Sequence, residues 1–459
     1  MNINLQNIKS PFFIGVAGAG MSAIAQYLRG IGMNVSGSDR FFNEGKAADI
    51  KEKLEAEGIQ CYKQDGSGIT PTTDLVVAST AVEDTVIEIQ KAKELGIPII
   101  RRAELLALIA ASKKTIAIGG TSGKSTTTAM LFDILTYAGL SPSIISGAGL
   151  VSLIKKGKIG NAFVGKSEWL VIEADESDGS IVQYQPSIGV LLNIDKDHKE
   201  IEELIQIFGT FRNNSQSFIV NQSNKNAARL STQLANDFEV NADNSGAGFV
   251  ASSFVQKGFK ISFKINSQPF EINIAGRHNM ENATAAVAAA SLVGVSLQVA
   301  SEALQHYEGI YRRCQVLGNK RGVWIVDDFA HNPVKCAAAI KSCQQAANKV
   351  VAWFQPHGYA PTRFLRTDFV REITAALRPQ DEIWMSEIFY AGGTTTKDIS
   401  AEDLINDIKA EGKQAFFLAD RKNLPDAVKP RLEEGNVLLL MGARDPSLES
   451  FSHWVFDNL

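Results

Sequence analysis

The sequence predicts an α/β protein of three domains. Its 459 residues exceed the size of one typical domain, which holds roughly 150 residues. Short apolar strands alternate with helical segments near both ends of the chain, a pattern typical of parallel sheets. Between 249 and 274, alternating polarity instead predicts antiparallel strands with one solvated face. We predict domains over 1–106, 107–317 and 318–459.

The composition excludes several classes of protein. The chain has 46 basic and 50 acidic residues, and this net charge of −4 does not support a nucleic-acid binder. Its four cysteines form no CxxC pair, which argues against a zinc site or a disulfide framework. No apolar run reaches the roughly 18 residues of a membrane span. We therefore expect a cytoplasmic protein without membrane insertion or a nucleic-acid partner, and its oligomeric state stays open.

The first domain is predicted to be Rossmann-like. A strand, a glycine turn and an apolar-periodic helix occupy residues 12–30. Gly18, Gly20 and Ala23 form a dinucleotide-type fingerprint, and Asp39 follows about 20 residues downstream. Such a turn holds a diphosphate at a helix N-terminus but does not specify which nucleotide. Further strands are predicted at 34–38, 74–79 and 97–100.

The second domain begins with a predicted phosphate loop. Gly120 to Ser125 read GTSGKS between a strand at 115–118 and a helix. In such a loop the backbone N–H groups cradle phosphate, Lys124 neutralises it, and the Ser125 hydroxyl binds Mg²⁺. The match to GxxxxGK[ST] is imperfect, because Ile118 occupies the first glycine position. We predict a P-loop ATPase-like central domain to which the antiparallel strands are added.

Acidic residues follow two further strands of the same domain. Residues 173–178 read EADESD and residues 193–198 read NIDKDH. A solvated acidic loop is one interpretation of the first segment, but a neighbouring phosphate loop favours Mg²⁺ binding. His198 is either a second metal ligand or a solvent-exposed loop histidine. The ends of the three strands are expected to converge on one crevice.

The third domain is predicted to be a Rossmann-like α/β domain. Apolar strands alternate with helical segments through most of this region. The predicted strands are 323–326, 350–354, 382–385, 416–418 and 437–441.

These motifs, in this order, resemble the Mur ligase family of ATP-dependent amide ligases. The resemblance covers essentially the whole chain. The matching stretches are GVAGAGMSAIA (15–25), VSGSD (35–39), IPIIRRAELL (97–106), GGTSGKSTTTAM (119–130), EADESD (173–178), NIDKDH (193–198), GRHNMEN (276–282), YRR (311–313), VDDFAHNP (326–333) and FQPH (354–357).

The resemblance implies a reaction and its residues. It implies that ATP and Mg²⁺ are used to join UDP-N-acetylmuramate to L-alanine through an acyl phosphate in peptidoglycan biosynthesis. The implied catalytic residues are Lys124, Glu173 and His198, and the implied metal ligands are Ser125, Glu173 and His198. The implied ATP-binding residues are Gly120, Thr121, Ser122, Gly123, Lys124, Ser125, Thr126, His278, Asn279, Asn282, Arg312, Arg313 and Asp328. The implied UDP-sugar-binding residues are Gly18, Ala19, Gly20, Met21, Ser38, Asp39, Ser79 and Arg102, and the implied amine-binding residues are His331, His357 and Arg363.

The chain departs from the alanine-adding members of the family. Ser122 stands where they usually carry histidine, and Asn332 replaces a second histidine. Gly358 and Pro361 stand where they typically carry arginines. Ser122 is compatible with a phosphate loop. The changes at Gly358 and Pro361 predict weak use of L-alanine and acceptance of a bulkier amine, unless Arg363 turns inward or another residue binds the same carboxylate and specificity is unchanged. The alternative substrates are therefore a tripeptide, as in murein-peptide recycling, or another amine.

Two other classes of protein remain as alternatives. An NAD-dependent dehydrogenase would use the first glycine turn, but it would leave the GTSGKS loop and the EADESD segment unexplained. A nucleotide-sensing protein without turnover is disfavoured by the retained Lys124, Glu173 and His198.

Overall fold

The computed structural model describes residues 3–45, 47–79, 82–176, 179–195, 199–241, 245–390, 396–445 and 447–459. Over these ranges the chain forms four β-sheets with helices packed on them. It divides into two compact units. The first unit comprises Met1–Phe254, Ser262–Ile272 and Arg277–Ile310, and the second comprises Val255–Ile261, Asn273–Gly276 and Tyr311–Leu459.

The first sheet is parallel and has the strand order β3-β2-β1-β4-β5. Its elements are β1 (Pro11–Ile14), α1 (Ala19–Gly30), β2 (Ser36–Asp39), α2 (Arg40–Asn43), α3 (Ala48–Ala56), β3 (Gln60–Lys63), β4 (Leu75–Ala78), α4 (Ile87–Glu94), β5 (Ile99–Arg101) and α5 (Arg102–Ala111). Every residue of β1 and β4 is buried. Helices therefore cover both faces of the sheet centre, and this explains the continuous apolar runs in the sequence.

The second sheet has the order β11-β10-β6-β9-β7-β8, with only β8 antiparallel among its strands. Its elements are β6 (Lys114–Gly119), α6 (Lys124–Tyr137), β7 (Ser143–Ile145), α7 (Val151–Ile154), β8 (Ala162–Phe163), β9 (Trp169–Glu173), β10 (Ile188–Leu191), α8 (Ile201–Asn214), β11 (Ser217–Val220) and α9 (Lys225–Ala228). Because β6 lies between β9 and β10, the carboxyl ends of these three strands meet at one edge.

The third sheet has four strands in the order β12-β13-β14-β15. Its strands and the two helices that follow are β12 (Phe238–Val240), β13 (Phe249–Lys257), β14 (Lys260–Ile265), β15 (Gln268–Ile272), α10 (Arg277–Leu292) and α11 (Leu297–Gln305). Two-residue turns join β13, β14 and β15, which requires the predicted antiparallel pairing. Ile261, Phe263 and Ile265 of β14 are buried, and the residues between them are not.

The fourth sheet has the order β16-β17-β21-β18-β19-β20, and β16 is antiparallel to β17. Its elements are β16 (Gln315–Lys320), β17 (Val323–Asp328), α12 (Pro333–Gln344), β18 (Val350–Gln355), α13 (Tyr359–Phe364), α14 (Arg366–Ala376), β19 (Glu382–Met385), α15 (Ala401–Ala410), β20 (Gln414–Phe417), α16 (Leu424–Val428), β21 (Val437–Gly442) and α17 (Leu448–Asn458). Short 3₁₀ turns elsewhere are Leu5–Asn7, Ser180–Gln183, Arg421–Asn423 and Lys429–Arg431.

This architecture confirms the predicted α/β class with parallel central strands. β16 is an edge strand that the apolar pattern does not predict, and the predicted boundary at residue 317 falls inside it. The boundaries at 106 and 317 stay predictions. Among the described helices, none combines the length and apolar character needed to cross a membrane.

A buried ion pair holds the start of the fourth sheet. The Arg312 guanidinium donates to Asp327 Oδ2 and to the Gly442 carbonyl oxygen, each at 2.9 Å. It thereby links the segment before β16 to β17 and β21. Burial raises the pKa of Asp327 to about 6, although Arg312 opposes this shift. The folded state therefore disfavours the charged carboxylate, and Arg312 compensates for part of that cost.

We expect Arg312→Leu to lower the free energy of unfolding by about 3–5 kcal/mol at pH 8, because it leaves a buried carboxylate unpaired. Since the folded-state pKa of Asp327 is raised, stability falls as pH rises through that pKa, and losing Arg312 raises the pKa further. The loss should therefore be smaller at pH 5. Urea unfolding followed by tryptophan fluorescence measures both values.

The control is Arg321→Leu, since Arg321 is exposed and has a similar left-handed backbone, with φ 53°. Adding Asp327→Asn to Arg312→Leu should recover part of the stability. An equal loss at the two pH values would contradict the role given to Asp327.

Candidate functional site

The GTSGKS loop joins the central strand β6 to helix α6. Gly120 and Gly123 have φ values of 143° and 84°, which residues other than glycine rarely adopt. A Cβ at Gly123 would also collide with the Asn282 amide oxygen. The loop ends in the first turn of α6, where unpaired N–H groups and the helix dipole favour an anion. Ser122 is exposed in the loop, and Thr126 lies half-buried in this first turn.

Lys124 is held at the loop by two oxygen atoms. Its Nζ lies 2.8 Å from Glu176 Oε2 and donates to the Gly120 carbonyl oxygen at 2.7 Å. Both charged side chains are largely buried, with 16% and 7% of their surfaces exposed. The ammonium group is thus positioned beside the phosphate loop by a carboxylate that a bound anion would have to replace.

Glu173 links β9 to the start of α6. Its Oε2 accepts from the Ser125 hydroxyl at 2.8 Å. Its Oε1 accepts from the Ser146 hydroxyl at 2.6 Å and from the Gly147 N–H at 2.7 Å. These donors fix the carboxylate next to the serine.

The Ser125–Glu173 pair fits Mg²⁺, because hydroxyl and carboxylate oxygens are ligands that this ion prefers. No three His, Cys, Asp or Glu side chains cluster as metal ligands in the described ranges. A Mg²⁺ site with few protein ligands is nevertheless common, since water and substrate phosphates complete it.

Asn193 connects the third strand end to the loop. Its Oδ1 accepts from the Thr121 hydroxyl at 2.8 Å and from the Ser122 N–H at 2.9 Å. The predicted convergence of the ends of β6, β9 and β10 is therefore observed. His198, the candidate metal ligand beyond β10, lies outside the described residues.

The first turn of α10 supports the phosphate loop from the side. Asn282 and Asn279 are buried, and Asn282 Nδ2 donates to Asn279 Oδ1 at 3.1 Å. Asn282 Oδ1 also accepts from the Thr127 hydroxyl at 3.4 Å. His278 is exposed in the same turn. Asn282 thus contacts α6 and is held by Asn279, whereas His278 is accessible.

In the first sheet, the predicted UDP-sugar residues surround the start of α1. Gly18 is the N-cap of α1, and Ala19, Gly20 and Met21 form its first turn. The Arg102 side chain lies so close to Gly20 that a Cβ there would stand 3.2 Å from Arg102 Nη1.

The ends of β2 and β4 lie beside this turn. Asp39 accepts from the Ala17 N–H at 3.1 Å and from the Phe41 N–H at 3.0 Å, so it shapes the glycine turn. The Ser38 hydroxyl is buried and has no hydrogen-bond partner among the described residues. Ser79 follows β4, the strand that pairs with β1 on the other side.

In the second unit, the predicted nucleotide residues differ in accessibility. Arg313 is exposed, whereas Arg312 is buried in the ion pair with Asp327. Asp328 accepts from the Cys314 and Ala330 N–H groups, both at 2.7 Å, and burial raises its pKa. Arg312 and Asp328 hold backbone groups in place. Arg313 is the exposed side chain of the set and is accessible to a ligand.

His331 and His357 lie together at the carboxyl ends of β17 and β18. Their ring centroids are 5.8 Å apart. His331 Nδ1 contacts the Phe329 carbonyl oxygen at 2.9 Å, whereas His357 Nδ1 is buried without a hydrogen-bond partner among the described residues. Burial lowers the pKa of both, that of His357 to about 4 with help from His331 and Arg444. Both imidazoles are therefore neutral at pH 7.

Arg363, the third predicted amine residue, is ion-paired with Asp398, and both side chains are about half-exposed. In this arrangement it does not supply the contacts that Gly358 and Pro361 lack.

Three residues of the site have roles that the motifs alone do not specify. Glu176 belongs to the EADESD segment and Asn193 begins the NIDKDH segment, so both lie within recognised motifs. Ser146 lies in no motif, and only the pairing of β7 with β9 places it beside Glu173.

Comparisons with known proteins agree with these motifs. Three consecutive family models match: Mur ligase family, catalytic domain (12–114), Mur ligase middle domain (118–290), and Mur ligase, glutamate ligase domain (312–444). A UDP-N-acetylmuramate–L-alanine ligase of Caldanaerobacter subterraneus subsp. tengcongensis is 34% identical, with 96% of each chain covered. The enzyme of that name from Myxococcus xanthus is 32% identical, covering 94% of this chain and 92% of the relative.

Solved structures show the same fold. The UDP-N-acetylmuramate-alanine ligase of Thermotoga maritima aligns with a TM-score of 0.79 at 23% identity, with 98% of each chain covered. A murein peptide ligase from Psychrobacter arcticus aligns with a TM-score of 0.67 at 20% identity, again over 98% of each chain. The resemblance drawn from the motifs is thus confirmed over nearly the whole chain, which belongs to the Mur ligase family.

Proposed function

We propose that the protein is an ATP-dependent carboxylate–amine ligase that joins UDP-N-acetylmuramate to L-alanine and releases ADP and phosphate, as a step of peptidoglycan biosynthesis. The observation that carries this proposal is the pair of contacts at the ends of β6 and β9, where Lys124 pairs with Glu176 and the Ser125 hydroxyl donates to Glu173. Relatives named for this reaction, at 34% and 32% identity, support the choice of substrates. A cytoplasmic location stays a prediction.

The chemistry requires a carboxylate to be activated. Transfer of the γ-phosphoryl group of ATP to the muramate carboxylate gives an acyl phosphate and ADP. The amine then attacks the acyl carbon, and the tetrahedral intermediate expels phosphate. Negative charge accumulates on the phosphoryl oxygens in the first step and on the acyl oxygen in the second, so the site must supply fixed positive charge.

In the proposed first step, Lys124 leaves Glu176 to pair with the phosphates, and the N–H groups at the start of α6 donate to them. Ser125 and Glu173 would hold Mg²⁺, which supplies additional charge neutralisation when bound. Asn193 keeps the loop in shape through Thr121 and Ser122.

For the second step, the ammonium group must lose a proton to solvent water before its nitrogen attacks. His357 has an unpaired Nδ1, and its pKa is lowered to about 4, so the neutral ring has a lone pair for an ammonium N–H. We propose that His331 and His357 receive the amine, which orients its nitrogen.

A peptide amine is the second candidate for this site. Gly358 places no side chain beside His357, and its φ of 74° is one that other residues rarely adopt. Pro361 supplies neither a charge nor an N–H. Likeness to a solved murein peptide ligase supports the same fold for such an enzyme.

Phosphate release tests the proposed function. With ATP, Mg²⁺ and UDP-N-acetylmuramate, we expect L-alanine to stimulate release, at a KM above that of the Thermotoga maritima relative measured alongside. Other L-amino acids and a free tripeptide form the comparison panel. Release that does not depend on UDP-N-acetylmuramate would refute the ligase. A sub-millimolar KM for L-alanine with larger amines rejected would refute the altered amine site.

We expect Lys124→Ala to reduce turnover by roughly two to three orders of magnitude, as for the loss of an oxyanion donor. The positive charge of Lys124 becomes more important as negative charge develops on the phosphoryl group. Lys114→Ala is the matched control, because Lys114 also pairs with a glutamate, Glu168, but on the surface and at the other end of β6. Circular dichroism should be unchanged in both. More than about a tenth of wild-type turnover in Lys124→Ala would contradict the phosphate loop.

We expect Glu173→Gln to raise the half-saturating Mg²⁺ concentration at least about ten-fold, because the amide keeps the size but loses the charge. Mg²⁺ titration of phosphate release measures this, and the sequence motif alone predicts the same for His198→Ala. Glu168→Gln is the control, since Glu168 is exposed just before β9. Unchanged Mg²⁺ dependence in both site variants would mean that these strand ends do not line the metal site.

A further inference from the structure

Arg444 lies between the two histidines in the order of the fourth sheet. His331 follows β17, His357 follows β18, and β21 pairs with both strands. Arg444 stands two residues beyond the end of β21. Three neighbouring strand ends thus bring one guanidinium and two imidazoles to the same edge.

The backbone at Arg444 is in the left-handed region, with φ 67°. An arginine adopts this conformation less readily than glycine does. The side chain is nevertheless exposed rather than packed into the core. The exposed Arg321 shares this backbone, so what distinguishes Arg444 is its place at the edge that carries the two histidines.

The charge of Arg444 is not neutralised within the described structure. Asp328 already accepts two backbone N–H groups, and the adjacent Asp445 pairs with Arg421 at 2.7 Å. No hydrogen bond or ion pair joins Arg444 to another described residue. Both Arg444 and Lys335 act electrostatically on His331, and Arg444 also acts on His357, so this edge carries unpaired positive charge.

We propose that Arg444 binds the carboxylate of the incoming amino acid while His357 Nδ1 accepts a hydrogen bond from its ammonium group. This inference rests on the proposed function and identifies the residue that selects an α-amino acid. A guanidinium offers two parallel N–H donors to a carboxylate. Arg444 thereby supplies the contact that Gly358 and Pro361 cannot make and that Arg363, paired with Asp398, does not make.

A phosphate group would also fit a guanidinium, but it would leave the histidine unsatisfied. In the tautomer protonated at Nε2, the Nδ1 of the neutral His357 is an acceptor without a donor among the described residues, and a phosphate at neutral pH presents mainly acceptors. An α-amino acid carries the donor and the acceptor side by side. The pairing of Arg444 with His357 therefore favours the amino acid.

The test compares L-alanine with L-alaninamide, which lacks the carboxylate charge, in steady-state ligation with UDP-N-acetylmuramate and ATP. The variants are Arg444→Met and Arg444→Lys, because both keep a long side chain on the left-handed backbone. Arg444→Met should raise the KM for L-alanine roughly 10- to 100-fold, as for a lost hydrogen bond to a charged group. The KM values for L-alaninamide and ATP should change less than about two-fold, and Arg444→Lys should restore part of the loss.

Arg321→Met is the matched control. Arg321 is also exposed and left-handed, with φ 53°, but it precedes β17 and so lies at the opposite edge of the sheet. Its KM values should equal those of the wild type.

The inference is overturned if Arg444→Met raises the KM values for L-alanine and L-alaninamide by the same factor. It is also overturned if only the KM for ATP rises, which would assign Arg444 to a phosphate. In both outcomes the wild-type protein still shows ligase activity, so they can be told apart from a failure of the proposed function. That failure would appear in the wild type as no phosphate release with any α-amino acid, and it would overturn both proposals.

Discussion

The site in the first unit depends on the parallel pairing of β6 with β9. This register places Glu173 next to the first turn of α6, where its carboxylate accepts a hydrogen bond from the Ser125 hydroxyl at 2.8 Å. The same carboxylate accepts two donors from the segment after β7. One side chain therefore connects a helix start and two strand ends, and the position of the phosphate loop relative to its acidic neighbour follows from backbone hydrogen bonding.

The Lys124–Glu176 pair is costly in this setting. Two largely buried charges lose hydration, and their attraction repays that cost only in part. Such a pair is suited to an exchange of partners, because an incoming anion can replace the Glu176 carboxylate while Lys124 stays desolvated. The pair keeps Lys124 extended along the loop and so limits the reorganisation that binding requires.

Sequence patterns predict the centre of each sheet better than its edges. β6, β9 and β10 are apolar because helices bury both faces, so their positions and the residues after them can be read from the sequence. β3 and β16 are partly exposed edge strands, with burial too mixed to produce an apolar run. Contacts between distant segments, such as Ser146 with Glu173 or Arg444 beside the histidines, depend on strand order, which periodicity does not encode.

The left-handed backbone at Gly358 makes the loop after β18 resistant to single substitutions. A side chain at this position would be strained, and its Cβ would stand 3.2 Å from Pro361 Cδ. An arginine at position 358 would therefore strain the backbone and press on Pro361. The cost of Gly358→Arg therefore depends on the residue at position 361, so substitutions at the two positions are not additive.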